Sequence, residues 1–189
     1  MAEMVPGGNA ALTAENPDVH ELLVGFSWQS TPSRGPQPEL VPLAILCGAD
    51  DTARTGDDVV FFNQIESADG SVAFDEQPSR GGAVDDEQID VDLRLVPDDV
   101  QKIVFVVYVD PDRRGLGTFG AVRQASMRVA TKDGRDLVRF VVPSDDNHRI
   151  DAMLFGELYR HRSDWKFRAL GQGYTTGLSG VARDFKIAL

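Results

Sequence analysis

The feature that most constrains the fold is a succession of short apolar or alternating runs, which Gly, Pro and Asp separate along most of the chain. Nine of these runs are strand candidates, at 21–28, 40–47, 58–65, 88–93, 102–110, 121–130, 136–142, 152–161 and 165–173. They are rich in β-branched and aromatic residues, which favour strands. Turn-forming sequences, SADGS at 67–71 and TKDGR at 131–135, lie between some of them. The pattern predicts a mainly β protein built as an antiparallel β-sandwich.

Helical spacing of apolar residues is confined to the end of the chain. In the segment 176–189, Leu178, Val181, Ala182 and Phe185 recur as they would on one face of a helix. We therefore expect a short C-terminal helix packed on the sandwich. The chain has 189 residues and shows neither a repeat nor a linker, so residues 1–189 are predicted to form a single domain.

The charge balance limits the classes of partner. The formal net charge is −11 and the isoelectric point is near 4.6, so the surface repels nucleic acid backbones and anionic membranes and attracts cations. An acidic surface also serves solubility alone. The first residues resemble no signal peptide, no apolar run is long enough to insert into a membrane, and Cys47 is the sole cysteine. These features predict a cytoplasmic protein without a nucleic-acid partner.

No catalytic motif stands out in the sequence. The three histidines are not spaced as zinc ligands, and no phosphate-binding loop, dinucleotide fingerprint or Ser-His-Asp order is present. Cys47 ends an apolar run and is predicted to be a buried, unreactive thiol. Asp110 and Asp112 leave a hydrolase open as a remote alternative. The expectation is a binding protein with no catalytic residues and no organic cofactor.

An acidic stretch, GGAVDDEQIDVDL at 81–93, is the main candidate for a site. Its five carboxylates could hold a cation, or they could form the solvated face of a surface strand. Alternation places Asp90 and Asp92 opposite the apolar positions, which predicts that both are solvated. The alternation begins at Asp86, and for the three acids at 85–87 both interpretations stay open.

Five segments, in order, resemble the TerD family of tellurium-resistance and stress proteins. They are GGNAALT (7–13) with LLVGFSW (22–28), DDVVFFNQIESADGSV (57–72), VDLRLVPDDVQKIVFVV (91–107), TFGAVRQASMRV (118–129) and LFGELYRHRSDWKFRALGQGYTTGL (154–178). The resemblance therefore covers nearly the whole chain. It implies a β-sandwich, a cytoplasmic location, calcium binding, and protein partners that include other family members or stress-complex proteins. It implies no catalytic activity and no particular oligomeric state.

The resemblance also implies a set of calcium ligands, which are oxygen atoms converging from several segments. The matching residues here are Glu39, Asn63 and the run Asp85-Asp86-Glu87, with Ca²⁺ as the expected cofactor. A second acid of the family pattern is replaced by Val41, followed by Pro42, and the acidic loop has gained Pro78 and Arg80. Two hypotheses follow: a calcium-modulated binding module with one weakened site, and a metal-free adaptor that keeps only the sandwich.

Overall fold

The computed structural model describes residues 1–76, 85–112, 117–144 and 147–188. Within these residues the chain forms twelve strands and one α-helix. Their bounds are β1 (Ala2–Met4), β2 (Asn9–Ala11), β3 (Glu21–Ser30), β4 (Leu40–Cys47), β5 (Val59–Val60), β6 (Val72–Asp75), β7 (Glu87–Asp92), β8 (Lys102–Val109), β9 (Val122–Thr131), β10 (Asp136–Val142), β11 (Ala152–His161), β12 (Asp164–Tyr174) and α1 (Gly177–Phe185).

The strands form two six-stranded sheets that confirm the predicted sandwich. The first sheet, called sheet A, has the order β1-β10-β9-β3-β7-β6, and the second, sheet B, has the order β2-β12-β11-β8-β4-β5. All of these pairings are antiparallel except that of β1 with β10. The chain thus contributes its first strand to sheet A and its second to sheet B, which ties the two sheets together at their edges.

The main core lies between the sheets. Phe26 of sheet A is fully buried, and its ring centroid lies 6.2 Å from those of both Phe105 and Phe155 of sheet B. Tilted aromatic contacts of this kind stabilise a core beyond the area that they bury. The same cluster includes Trp165, which is 4% exposed, as the alternation of its strand predicts.

A second core lies on the outer face of sheet B, where α1 packs. Val181 and Phe185 of the helix cover Leu43, Ile45 and neighbouring apolar residues of sheet B. The predicted C-terminal helix is confirmed, and it explains why β4 and β8 carry apolar residues on both faces. Among the described residues, no helix has the length and apolar character needed to cross a membrane.

Two parts of the sheet prediction need correction. The run 58–65 supplies only the two-residue strand β5, because the backbones of Phe61 and Gln64 bond to each other across a tight turn that exposes Phe62. The strands β1, β2 and β6 were not among the strand candidates, since three or four residues are too few for an alternation to be visible. The predicted turns are confirmed, and their glycines, Gly70 and Gly134, have φ of 74° and 91°.

In the described part of the chain, one edge of strand β4 is paired along only part of its length, and that edge includes Pro42. The backbone of Asp110 donates to the Glu39 carbonyl, so the odd-numbered residues of this segment bond to β8. The even-numbered Pro42 therefore directs its nitrogen, which has no hydrogen, to the other side. There, among the described residues, β5 pairs with Ala44 and Ile45, and Cys47 forms an isolated bridge with Ala53. Pro42 thus sits where a proline removes no ladder bond.

Candidate functional site

Four carboxylates surround a pocket of about 250 Å³ at one end of the sandwich. We call it the acid pocket, and it is lined by Glu39, Glu76, Glu87 and Asp110 together with Leu40, Val41, Phe62 and Phe74. The residues come from both sheets, because β4 begins and β8 ends there in sheet B, while β6 ends and β7 begins there in sheet A. The acid pocket therefore spans the gap between the sheets.

The strand register brings Glu39 and Asp110 together. Leu40 pairs with Val109, so the residues just outside these two strand ends face each other. The backbone N–H of Asp110 donates to the Glu39 carbonyl at 2.9 Å, and the Asp110 carboxylate accepts from the backbone N–H of Asp112 at 2.9 Å. The sheet backbone, rather than a flexible loop, thus fixes the origins of both side chains.

Glu87 is a pocket carboxylate whose charged form is disfavoured by its surroundings. It pairs across the sheet with Phe26, whose ring lies in the core, so the Glu87 side chain starts on the inner face and is half-buried. Burial raises the pKa of its carboxyl group, and the negative charges of Asp86 and Glu39 raise it further. None of the described residues lining the pocket is basic, so a cation there would relieve this repulsion.

Asp85 points away from the acid pocket. Its carboxylate, 4% exposed, binds the Arg128 guanidinium at 2.7 Å and accepts from the Gln88 side chain at 2.9 Å. It lies over Gly25 on the outer face of sheet A. Asp85 therefore already has its counter-ion within the protein.

Asp86 and Asn63 also lie apart from the pocket lining. Asp86 is exposed, and its carboxylate accepts from the Trp28 backbone N–H at 2.8 Å. Asn63 is exposed in the turn that follows Phe62. Of the five ligands that the resemblance implied, the structure thus brings Glu39 and Glu87 together at the acid pocket. The substituted positions Pro78 and Arg80 lie outside the described residues.

Two pocket carboxylates were not part of the predicted ligand set. Asp110 was noted only as a remote catalytic option, although the pairing of its strand with β4 could have placed it beside Glu39. Glu76 follows β6, which the sequence pattern does not reveal. Val41 lines the same pocket as Glu39, and it offers no side-chain oxygen at a position where the resemblance implies an acid.

The donor set suits a hard cation such as Ca²⁺, which prefers carboxylate oxygens. In the described part of the chain, however, no three Asp, Glu, His or Cys side chains are grouped so that they could hold a metal ion as they stand. Calcium binding would therefore require the pocket carboxylates to move inward.

The strand face that was predicted to be solvated is only partly solvated. Asp90 and Asp92 are half-buried, and Gln88, which lies between them and Asp85, is fully buried.

Comparison with known proteins gives a consistent family match. The family model described as the TerD domain matches residues 1–185. The tellurium resistance protein TerD of Serratia marcescens is 37% identical over 182 residues, which cover 96% of this chain and 95% of that protein. General stress protein 16U of Bacillus subtilis (strain 168) is 32% identical, with coverage of 96% and 95%. The crystal structure of a TerD homologue from Streptomyces coelicolor A3(2) superposes with a TM-score of 0.58 at 22% identity, covering 82% of this chain and 90% of that one, which supports the fold.

Proposed function

This chain belongs to the TerD family of stress and tellurium-resistance proteins, and we propose that it acts there as a calcium-modulated binding module. The observation that carries the proposal is the acid pocket, in which four carboxylates from both sheets surround one cavity without a basic residue among its described lining. Glu39, Glu76, Glu87 and Asp110 would hold the ion. A bound Ca²⁺ would supply positive charge that offsets their mutual repulsion.

A bound Ca²⁺ would link the two sheets at this end of the sandwich. Glu39 and Asp110 flank strand ends of sheet B, whereas Glu76 and Glu87 flank strand ends of sheet A. An ion held by both pairs would fasten the two sheets at this end of the sandwich. It would therefore stiffen the adjoining surface without any change of fold.

That adjoining surface has the character of a protein-binding patch. Phe62, which lines the acid pocket, is 42% exposed and packs edge-on against Phe61 at 5.4 Å, and Ile65 nearby in the chain is 45% exposed. Exposed apolar patches mark interaction sites, and aromatic residues are enriched at interfaces. We propose that stress-related protein partners, including other members of the family, bind here.

Calcium titration of chelator-treated protein tests the proposal. At a calcium concentration of about 100 times the dissociation constant, binding should add about 2.7 kcal/mol to the free energy of unfolding. For a chain of this length, that corresponds to a rise in melting temperature of about 5–11 °C. Glu39→Gln and Glu87→Gln should abolish most of the rise, whereas Glu3→Gln, at an exposed carboxylate of β1, should leave it intact. No calorimetric heat and no thermal shift would refute calcium modulation.

One observation favours the alternative of a metal-free adaptor. Two acids of the expected ligand set are already engaged within the protein, Asp85 by Arg128 and Asp86 by the Trp28 backbone. An adaptor of this kind would bind partners through Phe62 and Ile65 with or without calcium. In that case Glu87→Gln would leave partner binding unchanged in the presence of calcium and of chelator alike.

A further inference from the structure

Arg128 makes an unusually complete set of contacts for a residue on the outer face of a sheet. Its Nε lies 2.9 and 3.1 Å from the two carboxylate oxygens of Asp85, and its Nη2 lies 2.7 Å from one of them. Its Nη1 binds Asp136 at 2.6 Å. The Arg128 and Asp85 side chains are only 10% and 4% exposed. Charge-assisted bonds with this fork geometry are strong and fix orientation.

Three neighbouring residues on the outer face of sheet A make room for the Asp85 carboxylate and contact it. Arg128 of β9, Gly25 of β3 and Gln88 of β7 are direct cross-strand neighbours, so they share one face. A Cβ atom on Gly25 would lie 2.3–2.5 Å from the Asp85 carboxylate, so only glycine leaves room for it. Gln88 donates its side-chain N–H to the same carboxylate at 2.9 Å. Residues on three adjacent strands thus hold one carboxylate.

The ion pair is continuous with the start of β7. The residue after Asp85 is held twice, because the Asp86 N–H donates to the Phe26 carbonyl at 2.8 Å and the Asp86 carboxylate accepts from the Trp28 N–H at 2.8 Å. Glu87 comes next and lines the acid pocket. Asp85 therefore lies on the outer face of sheet A, only two residues from a pocket carboxylate on the inner side.

We infer that Arg128 is a positioning residue for the acid pocket: by holding Asp85 on the outer face of sheet A, it fixes the backbone from which Glu87 projects. Asp85 then acts through its ion pair rather than as a cation ligand. This inference rests on the proposed calcium function. It assigns a role to a residue that lies 43 positions along the chain from Asp85 and outside the pocket lining.

The calcium dissociation constant of Arg128→Gln should change in opposite directions for the two possible roles of Asp85, as an ion-pair partner that positions the pocket and as a cation ligand. If Arg128 positions the pocket, Arg128→Gln and Asp85→Asn should each raise the calcium dissociation constant roughly tenfold, which corresponds to about 1.4 kcal/mol. The double variant should show the same increase and not the sum, because both changes remove one interaction. If Asp85 is a ligand that Arg128 withholds, Arg128→Gln should instead lower the dissociation constant. That decrease, or an unchanged constant in the variants, would overturn the inference.

The double variant also guards against loss of the fold, since it leaves neither Asp85 nor Arg128 as an unpaired buried charge. Asp136→Asn is the matched control. It removes the other ion-pair partner of Arg128, and the Asp136 side chain is 35% exposed, so this change should leave calcium affinity unchanged.

Hydrogen exchange supplies a readout that does not depend on calcium. In the calcium-free protein, Arg128→Gln and the double variant should accelerate exchange at the Asp86 and Trp28 amides, which the anchored segment protects. Wild-type protection at both amides in the double variant would overturn the inference. If the wild-type protein binds no calcium, the proposed function fails, and these two amides still decide whether Arg128 fixes the start of β7.

Discussion

Replacement of Gly25 by alanine should destabilise the protein out of proportion to the size of the change. The added methyl group would sit 2.3–2.5 Å from all three carboxyl atoms of Asp85, well inside contact distance. Asp85 is short and held by Arg128 and Gln88, so it cannot move aside and keep its bonds. The substitution therefore forces the carboxylate off the face of the sheet.

The expected loss in the free energy of unfolding follows from the Asp85–Arg128 ion pair that is broken and from the contacts that each partner keeps. Separation of a buried ion pair costs about 3–5 kcal/mol. The lower end applies here, because Arg128 keeps Asp136 and the displaced Asp85 can reach water beside the exposed Asp86. Alanine in a strand regains about 0.5–1 kcal/mol relative to glycine. The net loss should be about 2–3 kcal/mol, or about 4–12 °C in melting temperature for a chain of this length.

Urea denaturation of Gly25→Ala and of Gly56→Ala measures the effect. Gly56 begins a short 3₁₀ helix, and a Cβ there would meet nothing within 4 Å, so its replacement should change stability by less than about 0.5 kcal/mol. In an Asp85→Ala background, Gly25→Ala should also become nearly neutral. A full-sized loss in that background, or no loss in the wild type, would show that the carboxylate is not what requires glycine at position 25.

Two further predictions concern single ionisable groups. Because the folded-state pKa of Glu87 is raised above its ordinary value of 4.5, its contribution to stability should fall as the pH rises from that value through the raised pKa. Glu87→Gln should therefore be more stable than the wild type at neutral pH without calcium, as measured by urea denaturation across pH; equal stability at all pH values would contradict the electrostatic account. Burial raises the pKa of Cys47 to about 12, so a thiol reagent at pH 8 should label it only as fast as the protein unfolds. Rapid labelling of the native protein would show that this region opens locally.

Strand β8 was predictable because burial on both of its faces requires a nearly continuous apolar run. The run at 102–110 is apolar at almost every position, and β8 is indeed covered by the main core on one face and by α1 on the other. Short strands such as β1 and β2 are held by pairing with β10 and β12, partners far away in the sequence. No local pattern encodes those pairings.

In the candidate site, too, the residues could be identified from the sequence around them, but the side of the sheet on which each lies depends on residues far away in the sequence. Glu39 and Glu87 were identified by resemblance, and both line the acid pocket. Asp85 looks equivalent to Glu87 in the sequence, yet the two carboxylates lie on opposite sides of sheet A. What separates them is a glycine on one neighbouring strand and an arginine on the next, and neither is marked by any motif around Asp85.

Pro42 has a consequence for how any partner can bind at this end of the sandwich. A free strand edge normally invites a foreign peptide to extend the sheet through backbone hydrogen bonds. On the partly paired edge of β4, the missing N–H of Pro42 interrupts that ladder two residues from Leu40, which lines the acid pocket. Any partner that bound here would therefore gain less from backbone pairing and would depend more on its side chains, which favours discrimination between partner sequences. The same interruption discourages copies of this protein from joining edge to edge at high concentration.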